Sequence, residues 1–396
     1  MSRFFQVALL VLLGVGCSKA QPTFKIRVDA GPLDRIWSPV SLPLPPETTW
    51  DTARLIGDDG VELAIQRRGD VGWFILPELV ANNSLELTLV PDASATPALG
   101  MEQSPEAVSF KSNGTEVVRY WAQPRPPPRA DIPQTYARGG YLHPVNTPSG
   151  ITVTDDYPDN HIHHHGIWGA WTNTRFEGRT PDFWNMGNET GTVVPLGLED
   201  AWSGPVAGGL TGQHQYLDLM TASARPALNE TWNLTVFHIP NADYHLFDLH
   251  VIQTTATDST LFLPEYRYGG VGFRGHGDWN GPENTHFLTS EGKDRSNGHA
   301  THARWCHIGG LVNEAFAGIG ILGHPENFRA PQPMRIHPTE PFFNWAPSQA
   351  GDWEIAPKTT YEARYRFVVR DGVADPALLE RLWQDYAEPP EVTWIE

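Results

Sequence analysis

Apolar and polar residues alternate over short stretches along most of this chain. Ser84-Leu85-Glu86-Leu87-Thr88-Leu89 repeats with period two, the pattern of a half-buried strand. Thr231 to Phe237 and Phe247 to Val251 read the same way. Tyr361 to Phe367 alternates aromatic or small residues with charged ones, so one face of that strand should be buried and the other wet. Asp58-Asp59-Gly60 is a turn signal between short apolar runs. A helical pattern stands out near the end. Asp375 can cap it, Pro376 suits its first turn, and Leu378, Leu379, Leu382 and Trp383 share one face. Many strands and few helices predict an all-β protein: a large antiparallel β-sandwich with a small N-terminal β module and a short C-terminal helix. The pattern places the small module over about 24–105 and the larger domain over about 110–390. The proline-rich stretch Gln123 to Pro133 should be irregular.

Composition supports this division. A chain of 396 residues has room for two domains and can bury a core without covalent staples. Its 35 prolines and 37 glycines imply many turns. The formal charge is −18, and the Lys and Arg residues form no stripe, which argues against nucleic acid as a partner. Anionic polymers would be repelled as well, unless a local basic pocket receives them.

The first residues read as an export signal. Arg3 is followed by the apolar run Val7 to Val15 and by Ser18-Lys19-Ala20, so residues 1–20 should be removed before Gln21. Gly16-Cys17 offers a second reading, lipidation of Cys17. The apolar run is shorter than the roughly 20 residues a membrane span needs, and no later segment reaches that length. A secreted or periplasmic address follows. Cleavage leaves Cys306 as the sole cysteine, so no intrachain disulfide can form. Cys306 itself reads better as a small buried residue than as a catalytic thiol.

Candidate chemistry is concentrated in four segments. The densest, Asp155 to Trp184, holds Asp155, Asp156, Asp159, His161, His163, His164, His165, Trp168, Trp171, Asp182 and Trp184. Read as an extended strand, it would point His161, His163 and His165 one way and His164 the other. His161 and His163 could then seat a divalent metal, with a third ligand from His276, His299, His302 or His307. The same histidines could instead line a wet pocket. In Glu265 to His276, Glu265 stands beside Tyr266, Arg267 and Tyr268. It could act as a general acid or base, or simply pair with an arginine. The third segment, Ser290 to Cys306, carries Arg304 among mixed charges. The fourth runs from Gly323-His324-Pro325-Glu326-Asn327 to Phe342-Phe343-Asn344-Trp345. The chain also has 15 tryptophans. Aromatic faces stack on sugar rings while His, Asn and Arg bind hydroxyls, so a pocket mixing these types suits a carbohydrate. Most of the tryptophans should nevertheless be core.

The strings Leu142-His143-Pro144-Val145-Asn146 and His161-Ile162-His163-His164-His165-Gly166-Ile167-Trp168 resemble the hallmark of the PmoA-like family. Asp182-Phe183-Trp184, Tyr268 to Arg274, Gly292 to Arg295, Ala303 to Cys306 and Gly323 to Asn327 follow in the family order. The similarity spans about 110 to 385. Ile162 and His165 stand where that family has Pro and Arg. The resemblance implies an exported β-sandwich protein of polysaccharide or glycoside catabolism, with a large domain like that of galactose mutarotases. Methane oxidation, suggested by the family's name, does not fit a chain without spanning segments.

Three functions are then open. In a carbohydrate-active hydrolase, lyase or epimerase, His163 or His164 would move protons with Glu265 or Asp182. Trp168, Trp184, Tyr268, Arg274, His276, Arg304 and His324 would hold the sugar. A metal-dependent hydrolase or oxygenase would use His161 and His163. A non-catalytic carbohydrate-binding protein would use the same aromatics with no poised acid or base.

Overall fold

The computed structural model describes residues 24–58, 60–92 and 94–395. The signal segment 1–20 and Cys17 lie outside the described residues. Among the described residues the regular structure is all-β apart from the helix Pro376–Ala387 and four short 3-10 turns. No helix among the described residues is long and apolar enough to cross a membrane.

Four strands fall where the alternation places them: Ser84–Pro91, Arg225–Phe237, Tyr244–Thr255 and Tyr361–Asp371. The first module is one seven-stranded antiparallel sheet with its own core, including Ile26, Val28, Leu55, Ile65, Phe74 and Leu87. Its last strand comes from the far end of the chain: Glu391–Ile395 pairs antiparallel with Phe24–Asp29.

The large domain stacks two eight-stranded sheets on a common core. One begins with Leu99–Gln103 at its edge and runs through Ala107–Ser112, Thr115–Trp121, Tyr141–Val145, Ile167–Ala170, Gly270–Arg274 and Phe342–Trp345 to Met334–Ile336. We call this the site sheet. Gly169 shows which way it faces. A Cβ there would meet Trp232, Glu230 and Tyr216 of the opposing sheet, so Gly169 points into the sandwich. Trp168, its neighbour on the strand, must then point to the outer face.

A buried polar cluster links the two sheets. Tyr120 Oη and His214 Nε2 are 2.7 Å apart, and His214 Nδ1 lies 2.7 Å from Glu230 Oε2. Tyr216 and Gln253 donate to Glu230 Oε1 at 3.0 and 2.6 Å. Burial opposes the Glu230 charge, yet these hydrogen bonds hold its carboxyl below the usual range. Cys306 is fully buried, and that burial pushes its thiol up, which suits a packing role.

The helix begins as its sequence predicts, with Leu378 N–H donating to Asp375 Oδ1 at 3.0 Å. It packs between the first module and the sandwich, where Leu379 and Leu382 are buried with Ile75, Phe237, Trp305 and Leu322.

Candidate functional site

The histidine-rich segment is not the extended strand that its spacing suggests. Pro158-Asp159-Asn160 reverses the chain, as turn-forming residues do. His161 N–H donates to Pro158 O at 3.0 Å, and His164 N–H donates to His161 O at 2.8 Å. A bridge between Asp156 and His165 closes the loop. The side chains therefore do not alternate. His161, His163 and His164 line one cavity together, and His165 faces the interior.

That cavity, about 260 Å³ in volume, sits on the outer face of the site sheet. Its remaining wall is Trp184, Asn185, Arg267, Tyr268, Arg335, His337 and Phe342. The floor is aromatic. The His164 ring stacks on Phe342 with centroids 4.9 Å apart and lies 4.9 Å from Trp168. Trp184 packs 4.8 Å from Trp168 and 5.4 Å from Tyr268. Trp168 is fully buried and so supports the floor from below rather than meeting a ligand.

Glycine is required beneath this layer. A Cβ at Gly272 would come within 2.7 Å of the Trp184 ring.

Arg274 ties the histidine loop down from beneath. It is fully buried and donates to Asn160 Oδ1 at 3.0 Å, Asn280 Oδ1 at 2.6 Å and Glu340 Oε2 at 3.4 Å. Its role is positioning. Asp156 anchors the other end of the loop. It accepts from Tyr141 at 2.9 Å and Arg125 at 2.8 Å, and lies 2.7 Å from His165 Nδ1.

The imidazoles are held neutral. Burial, reinforced by His161, His165 and nearby arginines, lowers His163 to about 3. His337 falls to about 4 through burial and the charge of Arg335. His161 is lowered and His164 well lowered, again chiefly by burial. The proton on His337 can be placed. Its Nδ1 accepts from the N–H groups of Thr339 and Glu340 at 3.3 and 3.1 Å, so the neutral ring carries its proton on Nε2.

The other expected site residues lie elsewhere. Asp182 accepts from the N–H groups of Trp184 and Asn185, both at 2.9 Å, and from the Asn185 amide at 2.8 Å. Its carboxylate shapes the turn that presents Trp184 and Asn185 and has no opening toward the cavity. Glu265 lines a neighbouring cavity with Tyr266, His299 and His302. His276 accepts from Asp278 N–H at 3.1 Å and caps a short 3-10 turn. Arg304 and His324 line a third cavity with Trp345 and Trp383, and Arg304 is paired there with Glu291 and Glu380.

The His161 and His163 rings meet edge to face with centroids 5.8 Å apart, and the His161 and His164 rings are stacked at 4.8 Å. Among the described residues, no group of three His, Cys, Asp or Glu side chains is arranged to hold a metal ion.

Sequence reading missed Asn185, Arg335 and His337. Asn185 directly follows the flagged Asp182-Phe183-Trp184. Arg335 and His337 lie in a stretch with no local signal, and reach the site only because Met334–Ile336 pairs with Phe342–Trp345.

A family described only as of unknown function, DUF6807, matches residues 107–384. No curated protein matches the chain. One similar solved structure is an alpha-mannosidase from Enterococcus faecalis V583, at 10% identity and a TM-score of 0.47, covering 94% of this chain and 46% of that one. Another is a protein in the glycosyl hydrolase family 38 from Enterococcus faecalis, at 10% identity and a TM-score of 0.42, covering 94% of this chain and 47% of that one. The chain thus spans less than half the length of either.

Proposed function

We propose, for a chain that belongs to the DUF6807 family, that the histidine cavity is the active site of an exported enzyme acting on a sugar by imidazole acid–base chemistry. One observation carries this reading: neutral imidazoles and aromatic rings surround a single cavity that no carboxylate lines. Tyr268 supplies a face for a sugar ring, with the buried Trp184 packed behind it, while Asn185, Arg267 and Arg335 supply donors. The resemblance to the PmoA-like family supports the same substrate class, and the N-terminal signal pattern supports export.

The wall favours proton transfer over hydrolysis by a carboxylate pair. That hydrolysis needs two carboxyl groups flanking the bond, roughly 5 to 9.5 Å apart. Here His337 donates a hydrogen bond from its neutral Nε2–H to a sugar oxygen and keeps its proton, and the proton taken by the base is returned to the sugar from that base's own imidazole. The base is His163, whose ring makes no hydrogen bond to the protein. Held at about 3 by burial, His163 alone is too weak a base for neutral pH. A negative group bound beside the rings would raise it toward the working range.

The test is product formation from a glycan panel by the mature protein, compared with His163→Ala and His337→Ala. The expected result is turnover that drops by about 100-fold or more in each variant while the melting temperature is kept. Glycans bound but returned unchanged by the wild-type protein would make this a binding protein instead. Stoichiometric metal lost in His163→Ala would replace imidazole catalysis by metal chemistry.

A further inference from the structure

Two guanidinium groups in this cavity have no carboxylate to answer them. Arg267 lines both the histidine cavity and its neighbour, and is exposed. Arg335, half-buried, faces the same space and donates only to His299 Nε2, at 3.3 Å. Neither makes an ion pair with a carboxylate among the described residues. Glu265, two positions from Arg267, does not close on it. Glu340 is engaged by Arg274 at 3.4 Å and by Asn160.

The chain carries 46 acidic residues against 28 Lys and Arg. Arg125 and Arg274, which hold the histidine loop, are paired with carboxylates, and Arg329 and Arg295 are answered by backbone carbonyls, whereas Arg267 and Arg335 face the cavity. Arg267 lies over the Tyr266 and Tyr268 rings at 6.0 and 5.6 Å, and the two guanidiniums are close enough to feel each other. Arg335 is held below the ordinary guanidinium value by burial first and by Arg267 second, and His299 is lowered by burial and by both of them. Like charges brought together on a cavity wall are unfavourable until an anion joins them. They would also repel a metal cation.

We propose that Arg267 and Arg335 form an anion seat, and that the sugar taken by this cavity is an acidic one, bearing a carboxylate or a sulfate ester. This rests on the carbohydrate reading of the same site. The planar guanidinium fork matches either group with two parallel hydrogen bonds. The seat lies on the wall that also holds His337, so a ligand anchored there extends across the imidazoles and Tyr268. It also explains how a strongly acidic protein can receive an anion at all: the long-range field opposes it, and the local pair recaptures it.

Calorimetric titration tests this, using uronic acid, sulfated and neutral oligosaccharides of matched length against the wild-type protein and the Arg267→Gln, Arg335→Gln double variant. An acidic sugar should bind at least ~10-fold more tightly than its neutral counterpart, about the worth of one charge-assisted hydrogen bond. The double variant should bind acidic and neutral sugars alike, both without the donors that Arg267 and Arg335 supply. Added salt should weaken only the acidic ligand. The uronate and sulfate arms show which group is seated. Equal binding of neutral and acidic sugars, unchanged in the variant, overturns the anion seat and leaves the sugar reading standing. No binding of any sugar overturns both. Arg267→Gln alone, at an exposed position, separates a lost contact from a damaged fold.

Discussion

Gly272 carries more of this site than its size suggests. It sits on the strand between Trp168 and Phe342 and leaves the space that the Trp184 ring enters. Its φ is not in the left-handed region, so an alanine there would be free of backbone strain and would act through contact alone. Gly272→Ala should destabilise the protein by about 1–3 kcal/mol, the usual cost of overpacking a tight core. Because the displaced ring is a wall of the cavity, sugar affinity should fall in parallel. Urea unfolding and a binding titration on one preparation read the two effects. Unchanged values for both would mean that Trp184 has room to move and is not the rigid wall described above.

At the scale of elements, the helix Pro376–Ala387 holds the two parts of the chain together. Asp385 is buried and lies 2.9 Å from Arg35, which is buried on the first module, and it accepts from Ser38 at 2.7 Å. Asp385→Ala would leave the Arg35 charge buried and unanswered, at a cost of about 3–5 kcal/mol. Loss of the helix cap in Asp375→Ala should cost about 1 kcal/mol. Chemical denaturation should rank the two variants in that order, and the reverse order would mean that the ion pair contributes little to the docking. This helix was legible in the sequence, because its cap and apolar face are local signals. The histidine loop was only half legible. Its composition announced a site, but counting alternate residues assumed a strand. Pro158, Asp159 and Asn160, which make the turn, were the neglected signal. Asp182 misled for a related reason: a carboxylate in a chemical segment looks the same whether it faces a ligand or caps a turn.

The whole molecule decides what no segment shows. The cavity joins Arg335 and Phe342, on two paired strands of the site sheet, to loop residues far away in the chain, so Arg335 and His337 become visible only once the pairing order is known. The same burial that builds the site also sets the acid stability of the fold. His143, His245 and His337 are held at about 4, and His163 and His307 at about 3, with burial the leading cause in each. In the unfolded chain these imidazoles take a proton near pH 6.5. Between that value and their folded values, unfolding binds protons and acid favours it. Their contribution is therefore complete above pH about 6.5, is lost as pH falls from there, and levels off below about 4 for His143, His245 and His337 and below about 3 for His163 and His307. Each of the more buried groups adds a slope of up to about 1.4 kcal/mol per pH unit within its window, and the half-exposed His337 adds less because solvent screens it. The melting temperature should be flat from pH 8 to about 7 and then fall steeply toward pH 4. His163→Asn should soften the fall, because it removes one of the reluctant imidazoles. A bound acidic sugar should soften it too, since an anion beside the rings lets the folded protein accept the proton earlier. A neutral sugar bound at the same site lacks that charge, so comparing the two pH profiles would link the acid sensitivity of the fold to the ligand its cavity is built to receive.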